Sequence, residues 1–172
     1  MNIRRLVIIG SAILALFCAP AAPVRAQRAP GGFPSVIKAV REAPGCLGVE
    51  TGQMANGRRV IFAWFQDKKA LIDWYHSDVH QRAMHTVFPN QKFEREPLPD
   101  LAEDSGPILA IVSVKFAEEP APGATAKIAS IGIELYGPLP GGVAVGGRFA
   151  PEALKVKGLR EIDLNTAQGA MR

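Results

Sequence analysis

Arg59-Val60-Ile61-Phe62-Ala63-Trp64-Phe65, residues 59–65, is the stretch that decides how this chain folds. Read as a strand, it has two faces, Val60/Phe62/Trp64 and Ile61/Ala63/Phe65, and both are apolar. A strand with one wet face alternates apolar and polar residues; one that is apolar on both sides needs cover on both. The stretch 108–114 repeats the pattern, broken only by Ser113. The chain has helical periodicity enough to cover one side of such a sheet. A second copy of the sheet is the economical cover for the other, so the pattern predicts a homodimer.

Outward from this strand, the rest reads as α+β. Before it, Pro34 suits the first turn of a helix carrying Val36, Ile37 and Val40, and Pro44-Gly45 stops that helix. A short strand follows at 46–51, and Asn56-Gly57 marks the hairpin turn into 59–65. After it, Gln66-Asp67 opens a helix with Ala70, Leu71, Trp74 and Tyr75 on its apolar side. Ser77-Asp78 reads as a new N-cap for a further helix ending at Pro89. A polar loop at 90–106, strands at 108–116 and 128–136, a Gly/Pro-rich region around 143–145 and a single helical turn at 151–155 complete the folded part. Residues 33–155 are one domain, and 156–172 read as a loose tail.

The N-terminus reads as a bacterial-type secretory signal. Arg4 and Arg5 precede a twelve-residue apolar run at 6–17, and Val24-Arg25-Ala26 offers a cleavage site before Gln27. The run is shorter than the roughly 20 residues a membrane-spanning helix needs. The expected layout is therefore a signal at 1–26 and a flexible lead at 27–32. The mature protein is periplasmic or secreted, with no membrane attachment after cleavage. Ala19-Pro20-Ala21 is a second possible site, and Arg4-Arg5 also fits twin-arginine export. Cleavage after Ala26 removes three arginines and no acid, so the formal charge of +4 falls to +1. Nucleic-acid binding loses its main support, and no nucleic-acid partner is expected. Cys46 is left as the one cysteine of the mature chain, which excludes an internal disulfide.

The stretch 44–85, PGCLGVETGQMANGRRVIFAWFQDKKALIDWYHSDVHQRAMH, resembles the dimeric α+β barrel superfamily, in its antibiotic-biosynthesis-monooxygenase-like branch. The likeness lies in a PGxxG strand, a hairpin, an apolar strand ending in Trp or Phe, and a helix with W…SxxH. It implies a ferredoxin-like antiparallel sheet with helices on one face, two of which pair sheet to sheet into a barrel. The first strand usual in that family has no counterpart at 27–32. Strand 128–136 would replace it in the central slot, giving a circularly permuted order.

Candidate chemistry gathers in three places. All three histidines, His76, His80 and His85, lie within ten residues. His76 and His80 are spaced i,i+4 and would ligate a metal from one helix face, unless Ser77-Asp78 interrupts the helix between them. The haem-degrading members of the superfamily use a tryptophan, a histidine and an asparagine. Trp74 matches the tryptophan, the histidine position falls on Met84 with His85 one residue away, and the asparagine belongs to the missing strand. Glu50 and Glu134 interrupt apolar strands; facing into a barrel, either would suit proton transfer, with Ser113, Ser130 and Tyr136 beside it and Arg148 as an anion partner at the mouth. Catalytic candidates are thus Glu134, His85 and Trp74, and metal candidates His76 and His80. Three readings follow. The first is an exported, cofactor-independent monooxygenase-like enzyme acting on a small apolar molecule. The second is a haem-binding or haem-degrading protein. The third is a non-catalytic structural dimer. No cofactor is required by the sequence, and haem is the one to test.

Overall fold

The computed structural model describes residues 33–91, 95–120, 122–124 and 126–164. The signal at 1–26 and the lead at 27–32 lie outside the described residues, as does the end of the tail at 165–172. Helix α1 (Phe33–Arg41) turns Ile37 and Val40 toward the sheet. Between its end and the next strand Gly45 adopts φ +75°, a conformation that costs glycine little. A Cβ at Gly45 would also stand 2.4 Å from that of Ala70, so the site needs glycine for space as well.

Strands β1 (Cys46–Gln53) and β2 (Arg59–Phe65) form a hairpin in which Val49 faces Ala63 and Gln53 faces Arg59. Asn56 Oδ1 accepts from the Arg58 N–H at 3.1 Å across the turn. Asp67 caps α2 (Lys68–Tyr75) by accepting from the Ala70 N–H at 2.8 Å. Ser77 caps α3 (Asp78–Val87) by accepting from the His80 N–H at 3.3 Å, so the helix is interrupted where the sequence places a new cap. Asp67→Ala removes an N-cap acceptor and is expected to cost about 1 kcal/mol, read as a lower denaturation midpoint. The loop before β3 is tied to the start of α2. Ser105 and Glu103 carbonyls accept from the Lys68 and Lys69 N–H groups, and the buried Lys68 Nζ donates to the Leu101 carbonyl at 2.9 Å.

Strands β3 (Ile108–Phe116) and β4 (Ile128–Tyr136) continue the sheet in the order β1-β2-β3-β4, antiparallel throughout. The fold is α+β and compatible with a ferredoxin-like sheet. One expectation is corrected: strand 128–136 is an edge strand, and 108–116 fills the interior position. The reason is burial. β2 and β3, apolar on both faces, take the two interior positions, whereas β4 carries Ser130 and Glu134 and leaves Ile133 48% exposed.

The core lies on the helix side. Ile61, Ala63 and Phe65 of β2 and Ile108 and Ala110 of β3 pack with Val40, Ala70 and Leu71 of the helices. On the opposite face, Trp64 is only 4% exposed. Part of its cover is the chain's own: Phe149 stands edge-on to Trp64 and Phe62, with ring centroids 5.3 and 4.9 Å apart. Pro151 sits where a Cβ on Gly48 would come within 2.7 Å of it. An irregular segment thus supplies part of the cover that a count of helices leaves to a second copy.

Residues 151–155 make a turn closed by the Leu154 N–H to the Pro151 carbonyl at 3.0 Å. Beyond them, β6 (Arg160–Ile162) pairs in parallel with β5 (Val143–Val145), so the stretch read as loose tail contains a strand. Among the described residues no helix is long and apolar enough to cross a membrane.

Candidate functional site

The helices lie chiefly over β1 and β2, and a cleft opens between them and the helix side of β3 and β4. Side-chain size deepens the opening: Ala63 and Ala110 sit side by side in the floor, where larger residues would meet the helices. The result is a cleft of about 770 Å³. Its floor runs from Ala63 through Ala110 and Val112 to Ile131 and Ile133, and its wall is built by α1, α2 and α3. That size falls within the roughly 300–1,000 Å³ of small-molecule sites. A second cavity of about 490 Å³, between Leu98, Pro107 and Tyr136, is formed largely by loops.

Trp74, Tyr75, His80 and Met84 line the wall. His80 is the polar group best defined there. Its Nδ1 lies 2.8 Å from the Tyr75 carbonyl oxygen, which can only accept, so Nδ1 carries the proton and donates. The Nε2 lone pair is left for another partner. Gln81 Nε2 donates to the same carbonyl at 2.6 Å, fixing the end of α2. The His80 ring packs against Trp74 and Tyr75, with centroids 5.7 and 5.2 Å away. Burial pushes its pKa below the ordinary histidine value; the Tyr75 carbonyl works against that, and His76 nearby adds to it. The imidazole is therefore neutral at neutral pH.

The other sequence candidates are dispersed. His76 is exposed at the end of α2, with Nε2 3.7 Å from Glu96 Oε2, and His80 belongs to the next helix. His85 is exposed on α3, while Met84, the position given by spacing, faces the cleft. Glu134 is exposed on the opposite face of the sheet, where it accepts from the Tyr136 hydroxyl, and Glu50 is exposed on β1. The same side of the sheet holds Arg58, which donates to Ser113 Oγ at 3.3 Å and Ser130 Oγ at 3.0 Å. Arg148 is engaged by Glu161 at 3.5 Å and by the Glu152 carbonyl. The Cys46 thiol is half-buried and its pKa is pushed up by that burial, which suits a packing role better than a nucleophile.

Trp74 and His80 thus share one cleft, and Glu134 and His85 lie outside it. Among the described residues no three His, Cys, Asp or Glu side chains are placed to hold a metal ion. Tyr75 and the floor alanines carry no sequence signal beyond their apolar spacing, which marks them equally well as core. No protein-family model, curated protein or solved structure matches the chain.

Proposed function

We propose that this chain is an exported protein that holds a small, largely apolar molecule in the cleft between β3–β4 and the three helices, with His80 as its polar anchor. The observation that carries the reading is an imidazole, fixed through Nδ1, on the wall of a largely apolar cleft of about 770 Å³. A purely structural dimer has no need of such a space. The oxygenase activity implied by the family resemblance would act on a molecule held at the same place, where His80 and Tyr75 are among the protic side chains.

Haem is the second reading, and the same histidine favours it. An imidazole whose Nδ1–H is tied to a backbone carbonyl presents its Nε2 in the form that ligates iron. The donor set fits: one nitrogen ligand, apolar walls, and Arg82 and Lys127 at the cleft to meet carboxylates. When bound, haem would supply the redox and oxygen chemistry. The residues of this chain would orient it, exclude water and set the state of the ligating nitrogen.

The test is competitive. An anilinonaphthalene sulfonate dye is added to the purified protein, then haemin. Dye fluorescence that rises and is then abolished with a shifted Soret band supports haem. A rise that haemin leaves untouched supports another apolar ligand. If neither probe binds, the cleft is not a ligand site.

A further inference from the structure

The sheet face turned away from the helices carries a polar group of residues that the cleft does not use. Arg58, just before β2, forks across β3. Its Nη1 donates to Ser113 Oγ at 3.3 Å and its Nη2 to Ser130 Oγ at 3.0 Å. Lys115 stands directly opposite Ser130 in the β3–β4 pairing and two residues from Ser113, so its side chain rises from the same face. Two positive charges are thus set in one row of the sheet, where like charges repel.

The chain supplies neither of them with a counter-ion. Among the described residues no carboxylate forms an ion pair with Arg58 or Lys115. The acids of that face, Glu50 and Glu134, stand in the row of Phe62 and Ile111, beyond Ser113 and Gly132, and Glu134 accepts from the Tyr136 hydroxyl. After β3, Glu119 is engaged by Lys127 at 3.7 Å. Arg58 is half-buried, and its fork is held by neutral hydroxyls. Each serine oxygen accepts from Arg58 and has its own proton left to donate. Gly132, opposite Ser113, keeps the space beside those hydroxyls open: a Cβ there would lie 3.1 Å from Ser113 Oγ.

We propose that Arg58, Ser113, Lys115 and Ser130 form a binding site for a phosphate group, on the opposite side of the sheet from the cleft and independent of it. Charge and bond number both match. Two cations meet the charge of about −1.5 to −2 that a phosphomonoester carries at neutral pH. Two hydroxyls and an ammonium supply donors for three terminal oxygens, whereas a carboxylate has only two to offer. Arg58 holds the hydroxyls in place and adds its charge behind them. A soluble phosphate compound and an anionic lipid headgroup present the same group.

Amide resonances of the purified protein are followed as inorganic phosphate is added, with chloride at equal ionic strength as the control. The expected result is saturable shifts confined to 58, 113–115 and 130–132. Lys115→Ala and Ser130→Ala should each weaken binding at least about tenfold with the circular dichroism spectrum intact. Lys127→Ala, whose charge Glu119 already meets, should leave it unchanged. Co-sedimentation with phosphatidylcholine vesicles containing phosphatidate reads the source. Sedimentation that Lys115→Ala abolishes assigns a lipid headgroup, and protein left in the supernatant assigns a soluble phosphate compound. Shifts that never saturate, that chloride reproduces, or that persist in full in Lys115→Ala overturn the proposal, whatever the cleft binds.

Discussion

Phe65→Ala is expected to lower the unfolding free energy by about 3–5 kcal/mol. The ring is 1% exposed, at the end of an interior strand, in contact with the cluster that joins α1 and α2 to the sheet. Its loss removes apolar burial and leaves a cavity that neighbouring strands cannot collapse into, because both are held in register by their ladders. Domains of this size are stable by about 5–15 kcal/mol, so the variant forfeits a large part of the total. Chemical denaturation gives the value. The control is Val143→Ala on the exposed strand β5, expected to change stability by no more than about 0.5 kcal/mol. Equal losses at the two sites would contradict the placement of the core.

His80→Ala is expected to abolish the Soret shift with haemin, or to weaken binding at least about tenfold, about 1.4 kcal/mol. His85→Ala and His76→Ala, which alter exposed residues, should leave it unchanged. Acid should act through the same group. Because burial holds the folded pKa of His80 below the ordinary value of 6.5, the neutral imidazole persists somewhat below pH 6.5. Binding is then complete above that value and is lost as pH falls through the lowered pKa. Stability follows with the same sign. The unfolded chain takes up its proton first on acidification. The contribution of neutral His80 is thus full above about 6.5 and declines as pH falls through the folded value. A pH profile of haemin binding that is flat across this range, or one unchanged in His80→Ala, would sink the role given to His80.

The elements were legible in the sequence because each carries a local signal. The two doubly apolar strands, the Asn56-Gly57 turn, the Asp67 and Ser77 caps and the Pro44-Gly45 stop act within a few residues of themselves. The site was legible only in part. Trp74 was marked by the helix motif, and His80 by the histidine spacing, but as half of a metal pair with His76, which sits exposed at the end of α2. Glu134 was singled out because a carboxylate in an apolar strand suggests burial. At an edge strand it meets water instead.

What the sequence determined by itself is the three helices, the strands β1–β4 and the apolar character of both faces of β2 and β3. Period-two and helical spacing are properties of neighbouring residues. What only the tertiary structure decided is the order of strands, the use of residues 149–154 as cover, and the cleft with His80 in its wall. These depend on which distant segments meet, and on the Tyr75 carbonyl reaching Nδ1 of His80 across a break between helices. Hydrophobic pattern says that a face must be covered; packing alone says by what.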